Sequence, residues 1–208
     1  MTLTRLKIAW VVFLTALFVW FSAWYGGAGK PISIEEGERL LEQIRQTYES
    51  ADDSERRFFA NIEDMIPRDD GREFYAVNLE NLKDGPEAEA SDRAYAGVVM
   101  PLLFKRASHP VFLSNRVGLM LGDYGTEVDR VAVVRYRSLR DMIEMTLEPA
   151  MKAGEGYKFG ALNHTEVFIT RPTITFVHVR VTLALLLILI GWLGLRGMTW
   201  FSRRRAAP

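Results

Sequence analysis

A chain of 208 residues has room for one ordinary domain plus membrane segments, but not for two full domains alongside them. It contains no cysteine, which rules out disulfides, thiolate metal sites and a cysteine nucleophile. The net charge of zero conceals an asymmetry. All 26 acidic residues lie between Glu35 and Glu166, whereas seven of the 26 basic residues sit at the ends, so the middle carries a net −7 and is poorly suited to nucleic acid.

The first element is the uncharged run of 18 residues from Ile8 to Tyr25. It is close to the roughly 20 residues that cross a bilayer as a helix. Trp24 and Tyr25 close it where aromatic rings settle at a membrane surface. Gly26, Gly27 and Gly29 then break the helix. A cleaved signal peptide competes with this reading, because Gly26 and Ala28 make a tolerable cleavage site, but the run is long for one and an anchor is expected.

A second apolar run, Val181 to Leu195, has 15 uncharged residues. Lengthening it takes in His178 and Arg180 on one side or Arg196 on the other, side chains that can reach the headgroups. Trp200, Arg203, Arg204 and Arg205 mark its far end. Gly191, Gly194 and Gly197 recur every third residue, which either lets another helix approach or is ordinary glycine tolerance. Arg5 and Lys7 before the first run, and the arginines after the second, place both termini in the cytoplasm. The expectation is a bacterial inner-membrane protein with a periplasmic domain. Segments at 1–29, 30–71, 72–172 and 173–208 follow from this division.

Between the anchors, Ser33-Ile34-Glu35-Glu36 is a capping box opening a helix with Ile34, Leu40, Leu41 and Ile44 on one stripe. A second helix is expected from Ser54 to Met65, ending at the turn Pro67-Arg68-Asp69-Asp70-Gly71. The pair reads as a hairpin or stalk. From Phe74 the period changes to that of a strand, Phe74 to Leu79. Asp84-Gly85-Pro86 is a turn. Ser91 to Ala107 has helical spacing, with Pro101 expected to kink it.

Further strands are expected at Val111–Leu121 and Val128–Tyr136, joined by the turn Asp123-Tyr124-Gly125. Ser138-Leu139-Arg140-Asp141 caps another helix. Residues 155–162 read as irregular or one helical turn, and Thr165–Thr170 as the last strand. The fold class is therefore α+β: a ferredoxin-like βαββαβ domain with an N-terminal helical hairpin, flanked by two transmembrane helices.

The stretch from Phe74 to Arg171 resembles the dimeric α+β barrel superfamily, especially its DUF1330-like members. The resemblance rests on Phe74-Tyr75-Ala76-Val77-Asn78-Leu79, on His109-Pro110-Val111-Phe112, on Arg130 to Tyr136 followed by Ser138, and on Tyr157. It implies a domain that pairs sheet against sheet. It also implies, for some members, cofactor-free monooxygenase chemistry or haem binding. The two anchors depart from a family whose members are mostly soluble.

Candidate catalytic residues are His109, Asn115 and Tyr136, and candidate ligand-binding residues are Arg116 and His164. His109 before a proline is a general base or haem ligand, or else a cation at a helix C-terminus. His164 in Asn163-His164-Thr165 is a ligand or a loop histidine. Arg135 and Arg137 alternate with Tyr136 and are expected on a polar face. Asp52-Asp53 and Asp69-Asp70 lack the spacing of a calcium loop. His109 and His164 match no metal spacing, and no metal or cofactor is expected unless haem binds. Phosphate-loop, GxSxG and HExxH motifs are absent.

Two functions follow. One is an accessory or assembly subunit, as a homodimer or within a larger membrane complex, in contact with lipid. The other is a tethered monooxygenase-like enzyme or haem-binding protein acting on an apolar substrate.

Overall fold

A computed structural model describes residues 2–48, 53–175 and 177–205. Asp52 and the side chains of residues 53–56 and Arg205 lie outside that description. The chain divides into two units, residues 1–25 with 174–208, and residues 26–173.

The first unit holds α1 (Leu3–Gly26) and α7 (Val179–Arg205). Both are long and apolar enough to cross a membrane, with a mean hydropathy of 2.0 in the best window of each. At 1.5 Å per residue they reach about 36 and 40 Å, against a hydrocarbon core of about 30 Å. The α7 helix runs unbroken through Arg196, so the short uncharged run does not set its length. Three of its arginines lie over aromatic rings: Arg180 is 5.6 Å from the Tyr25 ring, Arg196 5.2 Å from Trp192 and Arg204 3.8 Å from Trp200.

The helix that approaches the α7 glycines is α1 itself. A β-carbon at Gly194 would stand 2.5 Å from Trp10 Nε1, and one at Gly191 would stand 3.3 Å from Leu14. Gly197 meets nothing within 4 Å.

The second unit begins with α2 (Ile34–Thr47) and α3 (Asp53–Met65). Ser33 Oγ accepts the Glu36 N–H at 3.2 Å, as its capping pattern predicts. The two helices are built into the core. Leu40, Leu41, Ile44, Ile62 and Ile66 join Phe74, Ala76, Leu139 and Ile143 in one buried cluster.

The sheet has four antiparallel strands, β1 (Phe74–Leu82), β2 (His109–Asn115), β3 (Arg130–Tyr136) and β4 (Leu162–Thr170), in the order β2-β3-β1-β4. Between them come α4 (Pro86–Lys105), α5 (Leu139–Thr146) and α6 (Pro149–Ala161). The domain is thus a mixed α+β unit, with Ser138 capping α5 through the Asp141 N–H at 3.1 Å.

Four local expectations differ from the structure. The second strand stops at Asn115 rather than Leu121. Val117, Met120 and Leu121 beyond it are wholly solvent-exposed, so no burial holds them in the sheet. Residues 155–162 are not irregular: Pro149 at the first turn starts α6, which runs to Ala161. α4 starts at Pro86 and continues past Pro101.

Finally, Arg135 is 1% exposed rather than on a polar face. It donates to Glu73 at 2.8 Å and to the Ala107 carbonyl at 2.7 Å. Ala107 holds the left-handed φ of 52°, a costly conformation for a residue with a β-carbon, and thereby ends α4 with its carbonyl on Arg135.

Ile44 is completely buried in this cluster. Ile44→Ala is expected to cost about 2–5 kcal/mol, read as a lower denaturant midpoint of the detergent-solubilised protein. An unchanged midpoint would mean that α2 contributes nothing to the core.

Candidate functional site

Side chains alternate across a strand, so Asn78 and Glu80 of β1 share one face with Arg130, Ala132, Val134 and Tyr136 of β3. That face lies under the helices. α4 adds Asp92, Tyr95 and Val99, and α6 adds Lys158, to line a partly open cavity of about 200 Å³. Gly154 and Gly160 let the two covering helices approach, because β-carbons there would meet Val98 at 3.0 Å and Ser91 at 2.8 Å.

Arg130 organises the polar end. Its Nε donates to Glu80 at 2.6 Å, and its two terminal nitrogens donate to the two oxygens of Asp92 at 2.8 Å each. A fork-shaped donor is suited to this, since it satisfies a carboxylate from the sheet and one from α4 together. The Arg130 hydrogen bonds hold the Asp92 carboxyl below the usual range, against a smaller opposing effect of burial. Those bonds likewise raise the Arg130 guanidinium above its ordinary value.

Asn78 donates to the Ala132 carbonyl at 3.0 Å, whereas Tyr95, Tyr136 and Lys158 line the cavity with no such side-chain partner among the described residues. Burial, then the charge of Glu80, pushes the Tyr95 hydroxyl up to about 12. Burial and the neighbouring Tyr95 push Tyr136 up as well. Burial pushes the Lys158 ammonium down, opposed by Glu80. Both tyrosines therefore stay protonated donors, and the lysine charge is disfavoured.

The far end of the roof is clamped by Glu148, which precedes α6. It accepts from Lys105 at 2.8 Å and Arg106 at 2.7 Å, both at the end of α4. The Lys105 and Arg106 hydrogen bonds bring its carboxyl down to about 2.

Of the residues singled out from the sequence, Tyr136 lines the cavity. His109 sits on β2 opposite Arg135, its Nδ1 2.9 Å from the Pro110 carbonyl. Asn115 ends β2 opposite Arg130 and is exposed. Arg116 donates its backbone N–H to the Asp129 carbonyl at 2.7 Å and lies 3.8 Å from that residue's carboxylate. His164 is exposed on β4 opposite Asn81. Asp69 accepts the Gly71 N–H and Asp70 that of Arg72, which are turn roles, and Asp69 also accepts the N–H of the distant Ile32. Among the described residues no three His, Asp or Glu groups cluster to hold a metal.

Glu80, Asp92, Tyr95 and Lys158 escaped the sequence reading. The signal for Lys158 was present. It falls four residues after Gly154 and three before Ala161, on the small-residue stripe that faces inward. A larger cleft of about 540 Å³ lies between α3 and β4, but its arginines are committed, Arg68 to Asp64 and Arg171 to Asp70.

No known family model matches the chain, and no curated protein matches it. Solved structures do. The RPA0582 protein of unknown function from Rhodopseudomonas palustris matches with a TM-score of 0.50 and 16% identity, over 56% of this chain and 94% of that one. Its methylated form matches at 0.50 and 15%, over 57% and 93%. At such identities the likeness is one of fold alone. The hydroxynitrile lyase from Passiflora edulis matches at 0.40 and 12%, over 51% and 98%, which is too distant to carry any argument.

Two outcomes are expected of the polar groups. Arg130→Met leaves Glu80 and Asp92 facing each other unpaired, and its cost of about 3–5 kcal/mol is measured by chemical denaturation at neutral pH. The Glu148 pKa is depressed, so its contribution is complete above its ordinary 4.5 and is lost as the pH falls toward about 2. The stability gap between wild type and Glu148→Gln should therefore close across that window. A pH-independent gap would remove the clamp.

Proposed function

We propose that α1 and α7 anchor the protein in a bacterial inner membrane with both termini cytoplasmic, and that the domain at 26–173 is periplasmic. The domain binds a small, largely apolar organic molecule in the cavity beneath α4 and α6. One observation carries this reading: a partly open space between sheet and helices, apolar on most sides, with a few polar groups converging on it, which is the usual form of a small-molecule site. At about 200 Å³ the space is below the roughly 300–1,000 Å³ of drug-sized sites, so the occupant is small. Haem is outside this reading, because neither His109 nor His164 lines the cavity.

The domain is read as a ferredoxin-like unit of the dimeric α+β barrel type, related to the DUF1330-like proteins. The order β-α-β-β-α-β, the strand arrangement β2-β3-β1-β4 and the fold likeness to RPA0582 support this. The topology is supported by Arg5 and Lys7 on one helix and the arginines ending the other.

The accessory-subunit reading has its own support. The sheet face away from the helices carries Val77, Val131 and Val133, with Phe112 and Phe168 at its margins 53% and 45% exposed. A second copy covering that face would make a homodimer, and dimerisation is compatible with ligand binding.

Protease added to spheroplasts is expected to cut within 26–173 and to spare tags at both termini. A tag digested from outside would overturn the topology. An environment-sensitive apolar dye should bind the detergent-solubilised protein and be lost in Ala132→Phe, which fills the cavity. Undiminished dye binding in a folded Ala132→Phe variant would overturn the ligand site and leave the accessory role standing.

A further inference from the structure

The cavity lysine differs from three other lysines of the domain. Lys83 donates to the Phe159 carbonyl at 2.7 Å, Lys105 to Glu148 at 2.8 Å and Lys152 to Glu155 at 2.8 Å. Lys158 lines the cavity and has no hydrogen-bond or ion-pair partner among the described residues. A half-buried side-chain amine without an oxygen partner is less well stabilised as a cation than one in an ion pair, and a partly desolvated lysine of that kind is the form that attacks carbonyl carbon.

We propose that Lys158 forms an imine with a small apolar aldehyde or ketone held in this cavity, a reading that rests on the ligand site proposed above. Three features of the cavity suit that chemistry. Tyr95 and Tyr136 line it, and their hydroxyls, held protonated by burial, are candidate proton donors for the carbonyl oxygen. Glu80, Asp92 and Arg130 together carry two negative charges and one positive, which leaves a net −1 beside the amine. That charge complements the cation formed when an imine is protonated. Val99, Met100 and Val134 offer an apolar wall to the rest of the molecule.

The step is a condensation and needs no oxidant or reductant. The nitrogen lone pair attacks the carbonyl carbon. The carbon–oxygen π pair moves to oxygen, which takes a proton from a tyrosine, and the nitrogen returns a proton to that tyrosinate. The carbinolamine hydroxyl takes a second proton from the tyrosine and leaves as water as the nitrogen lone pair forms the C=N bond, and the remaining nitrogen proton restores the tyrosine. One amine and one carbonyl yield one imine and one water. Burial of the amine, not the carboxylates, sets the direction of the pH effect. Burial lowers the Lys158 pKa, so the reactive amine is available at lower pH than in a solvent-exposed lysine, while Glu80 works against this.

The test uses the full-length protein in detergent at neutral pH. It is exposed to isobutyraldehyde and cyanoborohydride, which traps imines as stable secondary amines, and the adducts are located by peptide mass spectrometry. Lys158 is expected to be modified on the order of tenfold faster than Lys83, Lys105 and Lys152, because those three are each committed to an oxygen acceptor. Tyr95→Phe should slow trapping at Lys158 without weakening binding of the apolar dye. Lys158 trapped no faster than the other lysines overturns the inference. If the dye still binds in that case, the ligand site stands without imine chemistry; if the dye does not bind, both readings fall. A Lys158 that is protected instead by isobutyrate, with no adduct from the aldehyde, would identify an anion-binding lysine and also overturn the inference. Should Tyr95→Phe fail to fold, the comparison among lysines in the wild-type protein decides alone.

Discussion

Arg130 is the interaction around which the domain is arranged. It sits on a central strand and reaches one carboxylate on the adjacent strand, Glu80, and one on the covering helix, Asp92. A single guanidinium thereby fixes the height of α4 over the sheet at the end where the cavity lies. Removing one partner from such a group leaves charge buried without compensation, so the three residues act as a unit. The unit is also the source of the cavity's electrostatic character, because it retains one negative charge after pairing. At the other end of α4, Glu148 ties the helix to α6 through Lys105 and Arg106. The roof is held at both ends by ion pairs and along its length by small residues, Gly154 beneath Val98 and Gly160 beneath Ser91.

The apolar core lies elsewhere on the same sheet face. α2, α3 and α5 pack Ile44, Ile62 and Ile143 against Phe74 and Ala76 at the start of β1. The helix-covered face is thus divided along its strands. One end is dry and closely packed, and supplies stability. The other is spaced by polar groups, and its packing is interrupted by a cavity. Such a division is common to binding proteins, in which a rigid scaffold carries a less well-packed site. Arg135 serves the opposite face: buried beside valines, it anchors the left-handed end of α4.

Much of this was legible in the chain. Capping boxes at Ser33 and Ser138 marked two helix starts, because a serine followed three residues later by an acid satisfies orphan N–H groups locally. The strand from Phe74 was legible from its alternation and composition. The limits of β2 and α6 were not. Val117 to Leu121 has strand-like composition, yet no neighbouring strand buries it. The α6 segment is glycine-rich and weakly amphipathic, and is helical because α4 packs on its small residues. Tyr136 was found as a site residue because an aromatic hydroxyl on a strand stands out. Glu80, Asp92 and Lys158 did not, since charged residues on amphipathic segments ordinarily face water.

The sequence by itself determined two apolar helices, the acidic character of what lies between them, and the kinds and order of most elements. Each of these depends on neighbours a few residues apart, through hydropathy, period and capping. Only the tertiary structure decided that the sheet is ordered β2-β3-β1-β4, that one arginine joins Glu80 to Asp92, and that Lys158 lines the cavity with no partner among the described residues. Those facts depend on groups brought together from distant parts of the chain, and an ion pair or a cavity exists only once the packing that encloses it is complete.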